Sequence, residues 1–178
     1  EDIEQTEMRG PEIHKIKNVK KLAGIHNAYA FKADENTAFF NARLGTQQYW
    51  ESMAPMFSTN FADIVYLGST VTYIALQLAY FLGCDPVYLI GVDHNYGELS
   101  KLFPPGKITV TEENYAMVQK CHFDKNYYKI GDQIGVPNVT LQDEAYAKAR
   151  EVFEADGRQV LNAGIHSQLD VFERCDFE

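Results

Sequence analysis

Residues 62–97 read ADIVYLGSTVTYIALQLAYFLGCDPVYLIGVDHNYG, and the turns that punctuate this stretch decide the fold class. Ile64 to Leu67 form a β-branched and aromatic run that stops at Gly68, with Ser69 or Thr70 placed to cap the next element. A helix is expected from there to Gly83. Val71, Ile74, Ala75, Leu78, Ala79 and Leu82 line one of its faces, with Tyr73, Leu76, Tyr80 and Phe81 opposite. Such a helix is too short to span a bilayer and almost wholly apolar, so it belongs inside a globular domain. Asp85-Pro86 then turns the chain into Val87–Val92, an apolar run expected as a strand covered on both faces. Strand, helix and strand make a right-handed βαβ unit. The expected fold class is α/β, a three-layer Rossmann-like domain with a mainly parallel sheet.

The polar residues of this unit fall at its two ends. Gly68, Ser69 and Thr70 stand where a strand gives way to a helix, whose unpaired N–H groups and dipole suit an anion such as phosphate. Asp93, His94, Asn95 and Tyr96 follow the carboxyl end of the next strand, the edge where open parallel sheets bind ligands. Both clusters are expected to face one crevice. The bland alternative for Asp93 is an Asx-type turn.

With 178 residues, 46% of them hydrophobic, the chain can bury one sizeable core, and a single domain over 1–178 is expected. A net charge of −9 argues against a nucleic-acid partner, which needs a basic face. A nucleotide is still compatible, because a local anion site works against the global charge. Cys84, Cys121 and Cys175 form no CxxC pair, so neither zinc nor a disulfide framework is indicated and a reducing cytoplasm is the simplest compartment. No signal peptide or transmembrane segment is read, and a homo-oligomer is left open.

Upstream, Ile13, Ile16, Val19, Leu22 and Ala23 recur at helical spacing among Lys15, Lys17, Lys20 and Lys21, which predicts an amphipathic helix with a solvated lysine face ending near Gly24. Ile25–Phe31 reads as a strand, and Thr37–Ala42 as a strand or a helical turn. Tyr49, Trp50, Met53, Met56 and Phe57 read as an apolar packing patch. Downstream, Gly97–Thr111 reads as a long loop of the kind that covers sites, and a helix starts at Thr111. Gly131–Val139 is irregular. Leu141–Asp156 is a helix with Ala145, Ala149, Val152 and Phe153 on one face, and Gln159–Ala163 is a third strand. Asn162, Gly164, His166 and Ser167 then fall at the carboxyl edge again, unless Ser167 only caps a short helix containing Leu169, Val171 and Phe172.

The run GSTVTYIALQLAYFLGCDPVYLIGVDHNYG, from Gly68 to Gly97, resembles the core of a bacterial and archaeal Rossmann-like family. That family groups archaeal 6-hydroxymethylpterin diphosphokinase with motility-accessory and lipopolysaccharide glycosyltransferase-like proteins. More distantly, the run is similar to bacterial sialyltransferases that use CMP-sialic acid. The likeness extends weakly through Cys121–Asp124 and from Leu161 to Phe177.

What the resemblance implies is transfer from a nucleotide-activated donor, first of all sialyltransferase-like glycosyl transfer in cell-surface glycan biosynthesis, to a small-molecule or glycan acceptor. His122 would be the general base on the acceptor hydroxyl, near neutral in its titration, with a loop hydrogen bond to Asp124 as the bland alternative. Asp93 and His94 join it as catalytic candidates. Gly68, Ser69, Thr70, Asn95, Tyr96, Asn162 and Ser167 are the nucleotide candidates, the last two through the family's Asn-Ala-small-Ser segment. No metal is required in this reading. The diphosphokinase alternative would hold Mg²⁺ and ATP on Asp93 and Asp124. A third reading is a non-catalytic nucleotide-binding or assembly module. The family's Asn-Gly-Pro-Ser type loop is not found before Gly68, which favours that module and reads as a fragment lacking, or a member that has lost, the glycine-rich strand and loop.

Overall fold

A computed structural model describes residues 10–29, 32–43, 56–97, 99–121 and 127–176. Among these the chain is mixed helix and strand, with four small sheets of which three are parallel and one antiparallel. In chain order the elements are a helix over 10–15 (α1), β1 (Lys21–Gly24), β2 (Thr37–Phe40), β3 (Ala42–Arg43), β4 (Val65–Tyr66) and α2 (Val71–Phe81). Then come β5 (Val87–Leu89), α3 (Leu99–Leu102), β6 (Gly106–Thr109), α4 (Tyr115–Val118), β7 (Gln133–Val136), α5 (Val139–Ala155), β8 (Val160–Asn162) and β9 (Glu173–Arg174). No described helix is long and apolar enough to cross a membrane.

The amphipathic helix expected from Ile13 to Ala23 is corrected: it stops at residue 15, Asn18 turns left-handed at φ 60°, and Lys21–Gly24 is a strand. Tertiary pairing overrides the 3.6-residue pattern here. β1 runs parallel to β2, Lys21 N donates to Asn36 O, and the Lys21 ammonium is 9% exposed and paired with Asp34 at 2.5 Å, so it is no part of a solvated face. The hydrogen bonds from Lys21 and Thr37 hold the Asp34 carboxyl well below the usual carboxylate range. Ile25–Asn27 is a 3₁₀ turn rather than the start of a strand.

The main core joins α2 and α5 to β5, β8 and the 169–172 segment through Tyr73, Leu76, Leu89, Tyr146, Phe153 and Phe172. α5 forms because Asn138 caps it, accepting from Leu141 N, and because Ala145, Tyr146, Ala149 and Phe153 fall on one stripe. α2 is not enclosed all round as expected: Tyr73, Ile74, Leu76 and Gln77 are inside, while Val71 and Leu82 are 57% and 66% exposed. A helix apolar all round gives no polar face to orient it, and the aromatic side prevails because Tyr73, Tyr80, Phe57 and Phe153 meet edge to face.

Gln77 explains why the sheet is divided. Val65 N donates to Asn41 O toward β3, so Tyr66, one residue on, turns its N–H and C=O to the opposite edge. Gln77 takes both, accepting from Tyr66 N at 3.0 Å and donating to Tyr66 O at 2.6 Å, where a neighbouring strand would otherwise bond. Beyond it β5, β8 and β9 form their own parallel sheet with Val87 opposite Val160 and Leu161 opposite Glu173. The expectation that the β5 run is covered on both faces is also corrected: Tyr88 and Ile90 are 45% and 61% exposed, because α2 and α5 both pack on the side of Leu89 and Val160.

Between β5 and α5 the chain forms a lobe from Leu99 to Val136. The loop expected over Gly97–Thr111 holds α3 and β6, and the irregular Gly131–Val139 holds β7, which pairs antiparallel with β6 from Gly106↔Val136 to Thr109↔Gln133. Its core of Leu99, Val110, Val118, Ile134 and Val136 shares no residue with the main one.

Candidate site at the carboxyl edge of the C-terminal sheet

The carboxyl ends of β5, β8 and β9 open on a cavity of about 840 Å³, lined among others by Asp93, Asn162, Ile165, His166, Arg174 and Asp176. The edge expected to carry ligands is therefore concave, as parallel-sheet geometry favours. Asp93 is exposed on the wall, its carboxylate without a hydrogen-bond partner among the described residues, while its carbonyl accepts from Gln168 N at 2.7 Å. Arg174 donates to Ser167 O and to Asp170 at 2.8 Å.

Asn162 and Ser167 stand at this edge, but their polar atoms are turned inward. Asn162 Nδ2 donates to Ser167 Oγ at 3.0 Å and Leu169 O at 2.7 Å, its Oδ1 accepts from Gly164 N, and Ser167 Oγ donates to Val92 O at 2.6 Å. These bonds fasten the β8–β9 connection to the end of β5, with Asn162 1% and Ser167 5% exposed. A Cβ on Gly164 would lie 2.9 Å from that of Ser167, so the small residue is needed for the two strands to close up. No helix forms over 169–172, which removes the helix-capping alternative for Ser167.

His94 and Tyr96 leave that cavity and turn to α5. His94 adopts φ 50° and its side chain is 4% exposed, with Nε2 2.8 Å from Asp143 Oδ1 and its ring against Tyr96 and Tyr146. An ionised carboxylate only accepts, so Nε2 donates, and Nδ1 is buried with no hydrogen-bond partner among the described residues. Tyr96 donates to Gln142 Oε1 at 2.8 Å, and Gln142 Nε2 donates to Ser69 O at 3.0 Å. Burial raises the Tyr96 phenol above its ordinary value, so it stays a donor through neutral pH. Asn95 Oδ1 accepts from Gly97 N, which makes it a turn residue.

The Gly68–Thr70 turn meets the 93–97 segment through Gln142, and none of the three residues lines the large cavity. Thr70 is the cap, accepting from Thr72 N at 3.3 Å, and Ser69 is left-handed at φ 58°. Gly68, also left-handed, sits where a Cβ would lie 2.1 Å from the Tyr73 ring, so only glycine fits.

His122 and Asp124 lie outside the described residues, as do Tyr49, Trp50 and Met53 of the expected apolar patch. Asp143 and Gln142 were not legible as site residues; their one signal is position, in the first turns of a helix that starts beside the ligand edge. Arg174 and Asp176 were missed because β9 is two residues long and leaves no periodicity to read. Among the described residues no three His, Cys, Asp or Glu side chains come together as a metal site. No family model, curated protein or solved structure matches this chain.

Proposed function

We propose that the chain is a three-layer Rossmann-like transferase of the sialyltransferase-like type, moving a glycosyl group from a nucleotide-activated donor to an acceptor hydroxyl in the cytoplasm. The observation that carries this reading is the arrangement at the carboxyl ends of β5, β8 and β9: a large cavity with Asp93, His166 and Arg174 on its wall. The donor occupies the cavity, with Arg174 and His166 toward its negative charge and Asp93 toward its sugar hydroxyls. His122, the general-base candidate from the sequence, accepts the acceptor's proton.

The diphosphokinase alternative has one observation in its favour. Asp93 and Asp176 line the same cavity, and Mg²⁺ needs only one or two carboxylates when substrate phosphates complete its shell.

Thermal shifts with CMP, CDP, UDP, GDP and ATP, with and without Mg²⁺, separate these readings, since a ligand at a hundredfold excess over Kd stabilises by roughly 2.7 kcal/mol. The expected result is a shift with CMP that needs no Mg²⁺. His122→Asn removes the base. It should leave the CMP shift in place and lower CMP release from CMP-sialic acid by about 10²–10⁴-fold. A Mg²⁺-dependent shift with ATP alone favours the diphosphokinase, and no shift with any nucleotide leaves the binding or assembly module without its nucleotide.

A further inference from the structure

The wall of the carboxyl-edge cavity is uneven in its chemistry, and this narrows what can lie there. Beside the ends of β5 and β8 it is bare: Gly91, Ala163 and Gly164 carry one methyl group between them. Gly91 is left-handed at φ 72°, and a Cβ added to it would meet nothing within 4 Å, so a ligand can come down onto the backbone itself. Two large apolar side chains flank this floor. Ile90, just before Gly91, is 61% exposed, and Ile165, just after Gly164, is 89% exposed. Single exposed isoleucines need no explanation, but two on the wall of one concave site suit a ligand with apolar surface of its own.

The polar rim decides the other half of the ligand. Arg174 is engaged by Ser167 O and Asp170, whereas the Asp93 and Asp176 carboxylates have no hydrogen-bond partner among the described residues and line the same cavity. An ionised carboxylate only accepts, so whatever meets these two must donate. They stand on opposite flanks of the floor: Asp93 follows β5, Asp176 follows β9, and β8 runs between those strands. A saccharide offers donors but no broad flat apolar surface. A flat heteroaromatic ring offers both, with apolar faces for the isoleucines and donors in the plane of its edge.

We infer that the cavity recognises the donor through a flat heteroaromatic base that carries an exocyclic amine, seated on Gly91, Ala163 and Gly164 between Ile90 and Ile165, with Asp176 accepting from the amine. This rests on the reading that a nucleotide binds here, and it adds which of its groups is selected and by which residue. A base with a carbonyl in place of the amine sets two acceptors against each other and leaves both unsatisfied. Cytosine and uracil differ at that edge, so the cavity prefers cytosine. Ile165 touches the ring face and not its edge, so it serves either base alike.

The test is calorimetric titration of the full chain with CMP and with UMP. CMP should bind about tenfold tighter or more, as expected for a hydrogen bond to a charged acceptor. Asp176→Asn, whose amide can turn an N–H to a carbonyl, should bring the two nucleotides within about threefold of each other. Its melting temperature should match the wild type, because Asp176 is exposed. Ile165→Ser should weaken both nucleotides by the same factor, about threefold or more, and leave their ratio unchanged. Equal affinities of CMP and UMP for the wild type, or a ratio that Asp176→Asn does not alter, overturn this inference while the cavity stays a nucleotide site. Binding of neither nucleotide overturns the transferase reading itself, and this inference with it.

Discussion

The β5-β8-β9 unit and the Leu99–Val136 lobe adjoin the same 91–97 segment, yet they are held together differently. The first buries Tyr73, Tyr146, Phe153, Leu169 and Phe172 to 2% exposure or less, between helices of 11 and 17 residues. Among the described residues the second is built from two four-residue helices, a 3₁₀ turn at Gln119–Cys121 and one antiparallel strand pair around five buried residues. Elements this short are not stable alone, so the lobe depends on its own small core and on the polar ties at its root. Few buried apolar contacts mean low local stability, and the lobe should open without the sheet unit unfolding.

Phe153→Ala gives the largest expected effect. The ring is fully buried against Phe57 and Tyr80, and its loss should cost about 3–5 kcal/mol of global stability in urea. Ile134→Ala removes a comparable buried side chain from the lobe, and about 2–5 kcal/mol is expected there too, but as faster amide exchange over 106–136 with α5 unchanged. If Ile134→Ala instead lowers protection in α5 equally, the two regions are one cooperative unit and the contrast is wrong.

That contrast also explains what sequence reading could reach. The strand, helix and strand from Val65 to Leu89, the α5 helix and the β8 strand were legible from their periods and caps, although β4 and β5 belong to separate sheets and not to one βαβ unit. α3, β6 and β7 were read as loop because four residues barely complete one helical turn or two strand repeats, whereas the acidic turn after Thr111 announced α4. The exposed stripe of α2 was not legible for the opposite reason: the helix is apolar all round, and only tertiary partners choose among its sides. At the site, residue position relative to strand ends located Asp93, whereas the Asp143–His94 and Gln142–Tyr96 bonds span 49 and 46 residues and have no local signature.

A smaller effect sharpens the comparison at its boundary. Tyr96→Phe removes the hydroxyl bonded to Gln142 and leaves the ring against His94; a net loss of about 0.5–1.5 kcal/mol is expected, chiefly as easier opening of the lobe. Amide exchange should quicken in β6 and β7 while the melting temperature changes little. Equal quickening in β8 would show that the bond serves the sheet unit instead.

The claim on which the functional account rests is that ligands bind at the carboxyl edge of β5-β8-β9. Titration of the ¹⁵N-labelled chain with CMP, followed amide by amide, tests it most directly. The account predicts that the largest shifts fall on 91–97, 163–168 and 174–176, with the lobe's β6 and β7 and the strand β1 nearly unmoved. Shifts centred on the lobe or on β1, or none at any CMP concentration, would contradict it.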